Sequence, residues 1–124
     1  MAKFTDDSVL DAALDDIATC VNMNICTSQP ANYAAIAGAS VCSVVLTAGD
    51  GNGDYTIANG DTSGRKLTVL AQSGTADGTG TVDHVCLDDG VTLKHVTTVT
   101  AQAVTNGNGF NVAAYDIEFA DVTP

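Results

Sequence analysis

Val82-Asp83-His84-Val85-Cys86-Leu87-Asp88-Asp89-Gly90-Val91-Thr92-Leu93-Lys94-His95-Val96 is the stretch on which the fold turns. Apolar runs from Val82 to Leu87 and from Val91 to Thr100 flank Asp88-Asp89-Gly90. Asp and Gly are residues that accept tight-turn backbone, so the link reads as the turn of a hairpin between two strands. An antiparallel pair there makes β the working class.

Outward from that hairpin the same period recurs. Phe110 to Phe119 reads as one final long strand, with Tyr115, Ile117 and Phe119 alternating against Asp116 and Glu118. Leu67, Val69 and Ala71 mark a strand after Gly64-Arg65-Lys66, and Val41 to Thr47 marks another. Val21, Met23 and Ile25 alternate with Asn22, Asn24 and Cys26, which describes a strand with one polar face. Ser28 to Tyr33, with Pro30 inside it, reads as turn and loop, and residues 74 to 80 read as a surface loop. Only the start differs. From Thr5 to Thr19, Leu10, Ala13, Leu14, Ile17 and Ala18 recur at helical intervals, with Thr5 or Asp6 able to cap the helix. The expectation is a mainly β chain: an antiparallel β-sandwich, with the jelly roll as one form of it, behind a short N-terminal α-helix at about residues 6–19. With 124 residues and no linker or repeat, residues 1–124 are expected to form a single domain.

Composition narrows the partners. Fifteen acidic residues face four basic ones, a formal net charge of -11, which opposes binding to nucleic acid and to anionic membranes. No apolar run reaches bilayer length and no apolar signal region follows Met1, so the expectation is a product made soluble in the cytoplasm. Cys20, Cys26, Cys42 and Cys86 form no Cys-x-x-Cys knuckle and lie beside or within apolar runs, so they read as buried free thiols. A Cys20–Cys26 pairing stays open if the helix end folds back on the next strand.

One stretch has the outline of a metal site. Asp50, Asn52, Asp54 and Asp61 occupy positions one, three, five and twelve of a calcium-type loop, with Ile57 at position eight. Position six, however, holds Tyr55 where an EF-hand needs Gly, and strands rather than helices flank the loop. Turn residues around a short strand, with Tyr55 and Ile57 pointing inward, explain the same letters, so no cofactor or metal is expected. His84 and His95 sit in strand-like runs, and neither Ser63 nor Ser73 lies in a Gly-x-Ser-x-Gly elbow, so no catalytic set is assembled and the chain is read as non-enzymatic.

Several segments together carry a resemblance. Val9-Leu10-Asp11-Ala12-Ala13-Leu14, Ile25-Cys26-Thr27-Ser28-Gln29-Pro30 with Tyr33, Gly60-Asp61-Thr62-Ser63-Gly64-Arg65-Lys66-Leu67-Thr68-Val69, His84 to Gly90 and Tyr115 to Asp121 follow one another in an order that resembles small virion proteins of tailed bacteriophages. The resemblance implies a structural role, as a decoration or cement protein on the outer capsid surface that binds the major capsid protein and stabilises the shell. It also implies self-association as a trimer and a place in the virion after synthesis in the host cytoplasm. A tail or fibre component contacting the host surface is the alternative, and a calcium-dependent carbohydrate-binding module is a further one. The last needs stacking aromatics, for which the chain offers only Tyr33, Tyr55 and Tyr115 and no Trp. Because cations are scarce, the contact surface is expected to use Lys3, Phe4, Arg65 and Lys66.

Overall fold

The computed structural model describes residues 5–121. It is mainly β with antiparallel sheets and a short N-terminal helix, consistent with the β-sandwich expected. The elements are α1 (Asp7–Ile17), β1 (Asn22–Cys26), a 3-10 turn (Tyr33–Ala35), α2 (Ile36–Ala39), β2 (Ser40–Val45), β3 (Tyr55–Asn59), β4 (Arg65–Val69), β5 (Gln72–Thr75), β6 (Gly80–Asp88), β7 (Leu93–Val104), β8 (Gly109–Val112) and β9 (Tyr115–Phe119). No helix among the described residues is long and apolar enough to cross a membrane. The chain gathers into two compact units, each built from discontinuous segments.

The first unit takes residues Met1–Thr19, Thr47–Ala71 and Ala113–Pro124. Its three-stranded sheet has the order β3-β4-β9, with Leu67 paired to both Ile57 and Ile117. Asp6 caps α1 by accepting from the Ser8 N–H at 3.0 Å, and Leu14 and Ile17 are the buried residues of the helix. Tyr55, Leu67 and Val69 are fully buried, as the inward-pointing reading of Tyr55 requires. The β3–β4 turn closes with the Gly60 N–H donating to the Gly64 carbonyl at 3.0 Å. Gly64 has φ +69°, and a Cβ there would stand 2.0 Å from the Phe119 carbonyl oxygen, so the position admits no side chain without displacing backbone.

The second unit takes Cys20–Leu46 and Gln72–Val112. Its main sheet has the order β2-β1-β6-β7, all antiparallel, and β5 pairs with β8 in a separate two-stranded sheet. The hairpin read from the sequence is present as β6 and β7, though β7 starts at Leu93 and runs to Val104. Asp89 accepts from the Val91 and Thr92 N–H groups, and Gly90 has φ +93°, which accounts for the turn chemistry of Asp88-Asp89-Gly90. Met23, Ile25, Val85, Leu87 and Cys42 form the apolar side of this sheet.

Two expectations need correction. The last strand is not continuous: β8 pairs with β5, β9 pairs with β4, and Ala113-Ala114 between them is exposed and unpaired. The break falls where the chain leaves one unit for the other, and two Ala residues bring too little side chain to hold a ladder there. Part of the run assigned to a surface loop, residues 74 to 80, also belongs to strands, since β5 ends at Thr75 and β6 begins at Gly80. The Gly74 position packs against the Phe110 ring, so its missing side chain serves a close approach rather than a flexible loop.

Candidate functional site

Directly opposed residues of an antiparallel pair share a face. Asn22 opposes Asp88, Asn24 opposes Cys86 and Cys26 opposes His84, while on the other side Asn24 opposes Ser43. The polar letters of β1 and their neighbours therefore gather on one face of the main sheet. Ser43, on the β2 side, is exposed, but the centre of the face at Asn24, Cys26, Cys86 and Asp88 is not left to solvent. The 3-10 turn and α2 cover it: Ala39 packs on Cys26 and Cys86, and Tyr33, Ala34, Ile36 and Ala37 line a cavity above the amides. Asn32 caps the turn, its Oδ1 accepting from the Ala35 N–H at 3.0 Å.

Asp88 is the centre of this face, 2% exposed, and Asn24 beside it is 6% exposed. One Asp88 oxygen accepts from Asn22 Nδ2 at 3.0 Å and from the Gly90 N–H at 2.9 Å; the other accepts from Asn24 Nδ2 at 2.6 Å. Asn24 Oδ1 in turn accepts from the Ser43 hydroxyl at 2.8 Å. A buried carboxylate is tolerated when its acceptor sites are met, and here strand register places the Asn22 and Asn24 donors while the β6–β7 turn places the Gly90 N–H. The cavity, about 360 Å³, opens over Asn22, Asn24, Ser43, Asp77 and Asp88, and offers amide donors and carboxylate and hydroxyl oxygens to water or a small polar group.

Next to it lies a shallower depression of about 500 Å³ lined by Ala31, Asn32, Tyr33, Ala34 and residues 91 to 93. None of its lining residues is charged. Val91 is 77% exposed and Tyr33 41% exposed, so this acidic molecule presents an uncharged apolar patch at the β6–β7 turn.

Of the cations singled out from the sequence, Arg65 and Lys66 make ion pairs within the first unit. Arg65 Nε donates to Asp11 Oδ1 at 2.7 Å and Arg65 Nη1 to Asn59 Oδ1 at 2.7 Å, tying α1 to the start of β4 and to β3. Lys66 Nζ reaches Asp61 at 2.7 Å and Asp116 at 3.4 Å. Hydrogen bonding to Asp11 raises the Arg65 pKa, and hydrogen bonding to Asp61 foremost, with Asp116 adding to it, raises that of Lys66. Lys3 and Phe4 lie outside the described residues.

The calcium-like stretch is occupied by its own backbone. Asp50 Oδ1 accepts from the Ile57 N–H at 2.8 Å, Asn52 Nδ2 donates to the Ala48 carbonyl at 3.1 Å, Asp54 accepts from the Thr47 N–H, and Asp61 pairs with Lys66. Gly49, Gly51 and Gly53 all have positive φ, and β3 starts at position six of the loop. Among the described residues no group of three or more His, Cys, Asp or Glu side chains gathers as a metal site. His84 Nδ1 pairs with Asp83 at 2.6 Å. His95 Nδ1 is buried without a hydrogen-bond partner among the described residues, and burial lowers its pKa. Ser63 Oγ accepts from the Asp121 N–H at 3.1 Å, so its position next to Gly64 serves the β3–β4 turn.

The sequence reading missed the buried polar face and the uncharged patch. The signal for the first was the coincidence of Asn22, Asn24 and Ser43 with Asp88, which becomes visible only once the strand order places β1 between β2 and β6. No family model, curated protein or solved structure matches the chain.

Proposed function

We propose that this chain is a non-enzymatic structural protein of a tailed-phage particle, a decoration protein that binds the major capsid protein on the outer shell surface and stabilises the shell. The identity of the partner rests on the resemblance of the segments quoted above. The observation that carries a binding role is the uncharged patch of Tyr33 and Val91 on a molecule of net charge -11. Attachment through that patch keeps the carboxylates out of the contact, where burying them unpaired would be costly, and leaves them facing solvent to keep particles dispersed. Repetition over the shell, by a self-associating protein such as a trimer, multiplies a modest contact into stable attachment.

The test is sedimentation of the purified protein with undecorated heads. The parent is expected to co-sediment in many copies per particle, and Tyr33→Asp with Val91→Asp is expected to abolish this while preserving circular dichroism. A parent that ignores heads and instead accompanies tails in low copy replaces this proposal with the tail component.

A further inference from the structure

Cys26 and Cys86 stand on the two central strands of the main sheet, both fully buried, with their Sγ atoms 3.6 Å apart. They are diagonal neighbours, since Cys26 opposes His84 and Cys86 opposes Asn24. The Asn24–Asp88 hydrogen bond runs along the same diagonal, one pair further along the ladder, and closes at 2.6 Å. This is therefore the diagonal along which β1 and β6 side chains approach one another. Two sulfurs in contact have to close by about 1.6 Å to reach disulfide length, a distance within reach of side-chain rotation and a small strand adjustment.

Space for a small reagent lies near them, although neither thiol lines it. Asn24, directly opposite Cys86, lines the polar cavity of about 360 Å³, so water-sized molecules come within one ladder position of the thiols. Ala39 from α2, Leu93 and Val96 pack with the two cysteines.

We infer that Cys26 and Cys86 are an oxidisable pair that a small peroxide converts into a cross-strand disulfide, locking β1 to β6. One sulfur gives an electron pair to hydrogen peroxide and becomes the sulfenic acid, releasing one water. The second sulfur attacks it, forms the S–S bond and releases the second water. In sum, two thiols and one hydrogen peroxide give one disulfide and two waters. The hydrogen bond from the Cys86 thiol lowers the Cys26 pKa, and the same bond, together with burial, raises that of Cys86. The crosslink spans 60 residues of sequence, so it removes a large loop from the unfolded chain and raises resistance to unfolding.

The experiment exposes the folded protein to excess hydrogen peroxide, quenches it, unfolds and alkylates it, and maps the peptides by mass. The expected result is a protein lighter by two hydrogens before alkylation, with Cys26 and Cys86 in one linked peptide pair, Cys20 and Cys42 alkylated, and an unfolding temperature above that of the untreated protein. Cys26→Ser, verified as folded by circular dichroism, is expected to yield no link under the same treatment. Four alkylated cysteines, a link at other positions, or sulfinic acid at Cys26 or Cys86 without the link would each overturn the inference.

Discussion

Asn24 donates its amide to Asp88 at 2.6 Å across two central strands, on a sheet face that the alternation of β1 presents as polar and whose centre the fold nonetheless buries. The pairing makes Asn24 a hub: its Nδ2 serves the carboxylate and its Oδ1 takes the Ser43 hydroxyl. Asn24→Ala leaves the exposed Ser43 hydroxyl to water but strands one oxygen of buried Asp88, and a buried acceptor deprived of its donor costs more than an average hydrogen bond is worth. The expected loss is about 2–4 kcal/mol by urea unfolding, with an unchanged slope. A loss within about 0.5 kcal/mol would place this face in water.

This relationship also marks the limit of what the sequence discloses. The β6–β7 hairpin was legible because apolar alternation and Asp-Asp-Gly turn chemistry agree locally, and α1 because its stripe and its Asp6 cap agree. Burial of Asn24 and Asp88 was not, because it depends on partners 64 residues apart and on a 3-10 turn and α2 that follow the Ser28–Tyr33 loop in a stretch given no element from the sequence. The break between β8 and β9 was hidden for a related reason. Alternation reports which face a residue takes, whereas the choice of β5 or β4 as partner is made by the rest of the chain. The calcium outline has a local explanation, since short acidic side chains next to glycines are as well suited to bind backbone N–H groups as to bind a metal.

Asp50 supplies the prediction for that stretch. Its carboxylate secures the Ile57 N–H, so Asp50→Ala is expected to lower stability by about 1 kcal/mol. The loss should be the same in chelator and in millimolar calcium, because a site that binds the native state raises its unfolding temperature by mass action and none is expected here. A calcium-dependent rise above about 5 °C in the parent, absent from the variant, would assign the stretch to the metal.

Gly64 tests the β3–β4 turn. Its φ of +69° and the Phe119 carbonyl 2.0 Å from the site of a Cβ make Gly64→Ala doubly unfavourable, through backbone strain and through displacement of the chain beyond β9. The expected cost is about 2 kcal/mol or more. Gly51→Ala, with a positive φ but open space around it, should cost less, and thermal melts of the two variants separate strain from contact.

His95 gives stability a slope in mild acid. Burial depresses its folded pKa below the ordinary 6.5, so the unfolded chain binds a proton more readily than the native one. Stability is therefore full above pH 6.5 and falls as pH drops from there towards the folded value. Replacing the imidazole by an amide in His95→Gln should flatten this window, as read from urea midpoints at pH 7.5, 6.5 and 5.5. A slope unchanged by the substitution would assign it to another group. Further acidification removes the support of Asp116, whose pKa is depressed by the hydrogen bond from Thr68 first and by Lys66 next, so that contribution is present above the ordinary carboxylate value and lost below it.

Arg65 and Lys66 were, with Lys3, the cations expected to meet the shell, and both hold carboxylates of their own unit. Charge reversal at both positions turns these attractions into repulsions: Arg65→Glu faces Asp11, and Lys66→Glu faces Asp61 and Asp116. The double variant is expected to melt several degrees below the parent at low salt, with the gap narrowing as salt screens the repulsion. Decoration of heads separates the two roles these residues could have. If attachment runs through Tyr33 and Val91, a variant kept folded by added salt should coat heads as fully as the parent measured at the same salt. Loss of coating by a variant with native circular dichroism would move the attachment surface to the start of β4, because only a contact made by the cations themselves would then have been removed.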